Sequence, residues 1–217
     1  MSRGSVHVQS RAGPFCYLLC VTASARNLPS PATLADLLVL PEEDRYELVG
    51  AEIVQKEAAR IPHGAAQLAL GYSLYPAYRR RSGGPPDRPG GWWFASEVLV
   101  QFTPEELRRP DVAGWRRERM PEPPVETPVT VVPDWICEIV SPSNIGNDTI
   151  TKMRLYHLAK VGHYWLLDPQ ALTLTVHRYH PDGYLQVLGA QRGERVRAEP
   201  FEAVELQVGV FFGDDPD

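Results

Sequence analysis

"VVPDWICEIVSPSNIGNDTITKMRLYHLAKVGHYWLLDP" (residues 131–169) holds the decisive pattern of the chain. It opens with "DWICEIV", an apolar run that reads as a strand. From about Asn147 to Ala159 it reads as a helix, with Asn147 or Asp148 at its N-terminus, where a carboxylate complements the helix dipole. It closes with "HYWLLD", a second strand, and a turn at Asp168-Pro169. Glu138 interrupts the first apolar run. A buried charge is costly unless it is paired, hydrogen-bonded or bound to a metal. Glu138 therefore either lies at a solvent-exposed strand end or has a cationic partner.

The rest of the chain is read outward from that stretch. "LPSPATLADLLVL" is expected to form a short helix, with Ser30 as N-cap and Pro31 at the first helical position. "RYELVGAEIVQKEA" reads as two strands around a tight turn at Gly50-Ala51. "IPHGAAQLALGYSLYPAYRRR" reads as a helix from near Pro62, with Leu68, Tyr72 and Tyr75 able to share a face. Pro76, which lacks an amide donor, is expected to kink or end it. "WWFASEVLVQF" is strand-like with a break near Ala95-Ser96, and "RRPDVAGW" sets Asp111 at the start of a further strand. "LTLTVHRY", "YLQVLG" and "VELQV" are further strands. The order of elements predicts an α/β protein with a mixed β-sheet flanked by helices.

Bulk properties narrow the class. At 217 residues the chain suits one moderately large domain, here residues 29–212, with an extension at 1–28 and an acidic tail at 213–217. A formal net charge of −5 argues against a protein that coats nucleic acid by bulk charge, though not against a local basic patch. Twenty-one prolines gather mostly in loops such as "GGPPDRPGG" and "MPEPPVETPVTVVP". Three cysteines, Cys16, Cys20 and Cys137, fit a reducing cytoplasm better than a disulfide scaffold. Residues 11–25 carry a weak secretory-signal pattern, but their apolar run is short, and an extension is the preferred reading. No run is long enough to span a bilayer.

Asp111, Glu138 and Lys152 carry the chemistry. Two strand carboxylates converging at one sheet edge can hold a divalent cation, because Mg²⁺ takes few protein oxygens and keeps its waters. A lysine beside them can orient a water or neutralise a phosphate oxygen. The bland alternative for Lys152 is a helix-surface pair with Asp148, four residues earlier. Arg79, Arg80 and Arg81, with Arg116, Arg117 and Arg119, are candidates for phosphate contacts, with solvated surface as the preferred reading. Trp92, Trp93 and Trp115 could stack on bases, but at strand positions core or edge packing is the preferred reading.

"RYELVGAEIV", "HGAAQ", "GGWWFASEVLV", "PDVAGWRRERMP", "PDWICEIVSPSN", the Asp148–Lys152–Tyr156 series and "HYWLLDP" occur in one order. That ordered set, over about residues 30–190, resembles the bacterial putative restriction endonuclease domain family, a branch of the PD-(D/E)XK nuclease superfamily. The resemblance implies a restriction-endonuclease-like core with its site at one end of the central strands. It implies cleavage of DNA phosphodiester bonds with Mg²⁺ or Mn²⁺. Asp111 matches the aspartate of the "PD" element and Glu138 the acidic residue of "(D/E)XK", the two metal ligands. Where the superfamily pattern has lysine two residues later, this chain has Val140, and Lys152 on the following helix is the matching residue. Glu47 matches an acidic position near the family's site and is a further catalytic candidate, able to assist through a metal-bound water, and His63 matches a common histidine that could contact a phosphate or order water. Tyr156 is read as core-facing support for Lys152. Cleavage of two strands calls for two sites, which suits a homodimer. The rival class is a nuclease fold that no longer cleaves and serves as a binding or assembly module.

Overall fold

A computed structural model describes residues 31–142 and 145–216. The extension, Ser30, Cys16 and Cys20 lie outside those residues. The first helix, α1 (Leu34–Leu38), starts later than Pro31 because Thr33 caps it: its hydroxyl accepts from Asp36 N, and Asp36 Oδ2 accepts from Thr33 N. This reciprocal capping box satisfies two terminal donors at once.

The strands divide into two larger sheets and a small one. β1 (Tyr46–Val49) and β2 (Glu52–Gln55) form the expected hairpin. Gly50 and Ala51 both take the left-handed conformation, at φ +56° and +63°, as a two-residue turn matched to strand twist requires. β3 (Trp92–Ala95) is followed by β4 (Val100–Thr103) and β5 (Glu106–Arg108). Between β3 and β4 the chain leaves one sheet for the other, with Glu97 at φ +60°. The hairpin, β5 and β4 thus make a four-stranded sheet in the order β2-β1-β5-β4.

The larger sheet has six strands. β6 (Val112–Arg116) and β7 (Trp135–Ile139) form its centre with β8 (His163–Asp168). β9 (Thr173–Arg178) and β10 (Leu185–Gln191) complete the order β10-β9-β8-β7-β6-β3. Only the β7–β8 pair is parallel. Parallel neighbours need a crossover, and residues 140–162 supply it with a helix. That helix begins as a π turn (Asn147–Lys152) and continues as α3 (Met153–Leu158). The final ribbon pairs β11 (Arg195–Val196) with β12 (Leu206–Gln207).

Helices cover both faces of the six-stranded sheet. Along β7, Trp135, Cys137 and Ile139 point to a core shared with α2 (Ile61–Tyr78), whereas Ile136 and Val140 point to a core shared with Tyr156 of α3. The period of two along a strand produces that split, and it directs Glu138 to the α3 side. Pro76 does not end α2, which runs on through Tyr78. It lies in the last turn on an exposed side, so the missing donor costs one bond near a fraying end. Leu68, Tyr72 and Tyr75 do share a face, but that face is outward: the buried stripe is Ala66, Leu70, Leu74, Ala77 and Tyr78.

Candidate active site

The register of the central strands builds the site. Val112 lies opposite Cys137, so one further step sets Asp111 beside Glu138 at the open end of the sheet. Asp111 Oδ2 accepts from Ile139 N at 2.7 Å, which locks the carboxylate against β7. Its other oxygen, Oδ1, is 2.8 Å from Lys56 Nζ and 3.2 Å from His63 Nε2. His63 comes from the first turn of α2, and Lys56 from the residue after β2.

Lys56 is enclosed by oxygens. Its ammonium donates to Glu97 Oε2 at 2.8 Å, Arg109 O at 2.6 Å and Asp111 Oδ1 at 2.8 Å. Gln67 Nε2 donates to Glu97 Oε1 and to Asp111 O, both at 3.0 Å. Donor atoms of His63, Glu97 and Asp111 all lie within 4.8 Å of one another. Two carboxylates, an imidazole and a carbonyl already arranged around a cationic group form a donor set that fits a small divalent cation.

Glu138 is fully buried, at 0 % exposure. Lys152 Nζ donates to Glu138 Oε2 at 2.8 Å, and Tyr156 Oη donates to Glu138 Oε1 at 2.6 Å. Lys152 also pairs with Asp148 Oδ1 at 2.9 Å. Both members of that pair are buried, so the Asp148–Lys152 contact is not the helix-surface bridge that spacing alone allows, and Asp148 serves Lys152 rather than the helix dipole. The i to i+4 spacing in the π turn pairs the two side chains, and Lys152 reaches on to Glu138. The question raised by Glu138 in the sequence is thus answered within the fold: its cationic partner is Lys152.

Electrostatics follow from burial and these partners. Burial pushes the Glu138 carboxyl up to about 8, assisted by the charge of Asp111 and opposed by Lys152. Burial works the same way on Asp111, yet Lys56, the His63 hydrogen bond and Lys152 hold it well below the usual carboxylate range. For Lys152, burial disfavours the charge, but Glu138 and Asp148 hold the ammonium well above its usual value. Burial also opposes protonation of His63, and Asp111 outweighs it, so the imidazole pKa is raised. A cavity of about 270 Å³ opens onto Lys56, His63, Asp111, Asp148 and Lys152.

Glu47 stands apart. Its Oε1 accepts from Arg109 N at 2.6 Å and its Oε2 is 3.8 Å from Arg108 Nη1. It anchors the segment leading to Asp111; neither it nor Glu138 lines the cavity. Asp111, Glu138 and Lys152 are therefore brought together, His63 joins them, and Glu47 supports them from behind. Lys56, Glu97 and Gln67 were not singled out from the sequence. Gln67 and Glu97 lie within the quoted stretches "HGAAQ" and "GGWWFASEVLV" and Lys56 just after "RYELVGAEIV", but only tertiary closure joins all three to Asp111.

Residues 32–209 match the Uma2 family, described as a putative restriction endonuclease. The chain belongs to the Uma2 family. Among solved structures it is similar to a protein from Anabaena variabilis ATCC 29413, titled a putative nuclease belonging to DUF820, at 21% identity and a TM-score of 0.64. That match covers 84% of this chain and 98% of the other. It shows that this Uma2 chain has the mixed α/β, nuclease-like fold expected from its sequence. No curated protein matches the chain. Among the described residues, no helix is long and apolar enough to cross a membrane.

Proposed function

We propose that this chain is a cytoplasmic, divalent-metal-dependent endonuclease that hydrolyses DNA phosphodiester bonds. The observation that carries the reading is the adjacency of Asp111 and Glu138 on neighbouring strands, with Lys152 and His63 converging on the same cavity. Asp111, with His63 and Glu97 beside it, would hold Mg²⁺ or Mn²⁺, and Glu138, opposite Asp111 on the neighbouring strand, would be the further carboxylate once released from Lys152 and Tyr156. The ion when bound supplies a more acidic water and offsets negative charge on the scissile phosphate. Lys152 has the part of orienting the water and balancing charge on the phosphate oxygens. Tyr156 fixes the Glu138 carboxylate, and Glu47 holds the Arg108–Arg109 backbone from which Asp111 projects. Hydrolysis adds water across one P–O bond, leaving a phosphate monoester on one fragment and a hydroxyl on the other.

One observation favours the rival reading of a non-cleaving module. The site carboxylates are already paired with lysines: Glu97 and Asp111 with Lys56, Glu138 and Asp148 with Lys152. A cleavage assay separates the two. Supercoiled plasmid and single-stranded DNA are incubated with Mg²⁺, Mn²⁺ or EDTA, with wild type and Glu138→Ala compared. Metal-dependent nicking that disappears in the variant is expected. Folded wild type that neither cleaves nor binds Mn²⁺ by calorimetry would establish the module instead.

A further inference from the structure

The outward face of α2 is the largest feature that the chemistry above leaves unused. Leu68, Tyr72 and Tyr75 are exposed at 77%, 68% and 47%, one or two turns apart on the same stripe. They do not stand on a flat surface. A groove of about 530 Å³ runs between α2 and β3, lined by Gly64, Gln67, Tyr72, Tyr75 and Phe94 among others. At its head Gln67 is hydrogen-bonded to Glu97 and to the backbone of Asp111, so the groove begins at the candidate active site. At its foot Tyr75 and Phe94 also line a second hollow of about 280 Å³, whose other walls include Arg79, Arg80, Trp93 and Arg117.

The foot is cationic, aromatic and held in place. The Arg117 guanidinium lies 3.4 Å from the centre of the Trp93 ring, and Arg79 lies 5.3 Å from the centre of Tyr75. Arg117 also donates to Arg79 O and Trp92 O, tying β6 to the end of α2. Gly90 N donates to Ala77 O and Gly91 N to Arg80 O. A Cβ at Gly90 would come within 2.3 Å of Arg81 O, so this close approach requires glycine. From His63 to Arg79 the helix rises about 24 Å, enough to follow a few nucleotides.

We propose that this groove binds an unpaired DNA strand running from the active site along α2 to the arginine-rich foot. The identity of the strand rests on the nuclease reading. Exposed tyrosine faces in a groove stack on bases, and bases within a duplex do not present their faces. Arginines at one end match a polyanion, whereas the chain as a whole is acidic and would meet a second copy with like charge.

The test is fluorescence anisotropy with labelled oligothymidylate, oligouridylate and a DNA duplex of equal length, in EDTA so that cleavage plays no part. Oligothymidylate is expected to bind at least about tenfold more tightly than the duplex. The Tyr72→Ala/Tyr75→Ala and Arg79→Glu/Arg80→Glu double variants are each expected to lose about tenfold or more without a change in unfolding temperature. Equal binding of duplex and single strand, or variants that bind like wild type, overturns the proposal. Tighter binding of oligouridylate overturns DNA as the occupant. Light scattering that shows the tyrosine variant converting a dimer to a monomer, with strand binding unchanged, would make this face a chain–chain interface instead. If wild type does not cleave but groove-dependent binding persists, the nuclease reading fails and the groove stands. If wild type cleaves and the groove variants bind and cleave as it does, the reverse holds.

Discussion

The ammonium of Lys56 lies 2.8 Å from the Asp111 carboxylate, although 55 positions separate the two residues in the chain. With Glu97 and the Arg109 carbonyl, Asp111 gives this ammonium the oxygen surroundings of a bound cation. Two consequences follow for Lys56→Met. Without metal, Asp111 and Glu97 lose their counter-charge, and breaking one side of a buried pair costs about 3 kcal/mol or more. With metal, the cation no longer competes with an internal ammonium. Thermal unfolding in EDTA should therefore show a lower midpoint for the variant than for wild type. Saturating Mn²⁺ should recover most of the loss, and calorimetry should show tighter Mn²⁺ binding. Unchanged or weaker Mn²⁺ binding would show that Lys56 holds the site together rather than competing for it.

Glu138 gives the metal-free protein a distinctive pH dependence. Its folded-state pKa is raised from 4.5 to about 8. Between those values the folded state holds a proton that the unfolded state has lost. The stabilisation is complete below about pH 4.5 and disappears as pH rises through 8, a loss on the order of 3 to 5 kcal/mol. Asp111 has the opposite sign. Its pKa is lowered, so its contribution is present above its usual value and is lost in acid. Stability in EDTA should decline from pH 6 to pH 9, and Glu138→Gln should flatten that decline. Denaturant titrations at the two pH values measure both slopes.

Tyr156→Phe removes one hydroxyl and nothing else. The lost bond to Glu138 Oε1 leaves a buried acceptor with Lys152 as its remaining partner. A destabilisation of about 1 to 3 kcal/mol is expected. Because the same bond orients the carboxylate, Mn²⁺ affinity should fall several-fold with the fold intact, as calorimetry and circular dichroism together would show.

Much of this architecture was legible because its signals are local. The hairpin at Gly50-Ala51, the strand containing Glu138 and the helix carrying Lys152 each follow from periodicity and turn chemistry over a dozen residues. The adjacency of Asp111 and Glu138 was expected from motif order and is produced by strand register. Two features were hidden. α2 is apolar nearly all round, so periodicity gave a face of Leu68, Tyr72 and Tyr75 but no contrast to decide which face is buried. The smaller Ala66 and Ala77, with Leu70 and Leu74, took the core. Lys56 and Glu97 sit in connecting segments, and their partners are set by the packing of two sheets that no local pattern announces.

Glu47 separates support from chemistry. Its carboxylate accepts from Arg109 N and faces Arg108, which is 2% exposed. Glu47→Ala would leave the Arg109 backbone donor short of an acceptor and the buried Arg108 guanidinium with Glu106 as its remaining carboxylate partner, a loss of about 3 kcal/mol. Glu47→Gln keeps an amide oxygen for the Arg109 donor and removes only the charge, so its cost should be smaller, about 1 to 2 kcal/mol. A residue that supports Asp111 from behind predicts that Glu47→Gln retains Mn²⁺ affinity within a few-fold of wild type, and loses cleavage only in proportion to folded protein. A residue that touches the reacting groups predicts a large drop in turnover with stability nearly unchanged. Chemical denaturation, Mn²⁺ calorimetry and plasmid nicking on the same two variants distinguish these outcomes. The geometry, with both oxygens of Glu47 turned toward the Arg108–Arg109 segment, predicts the first.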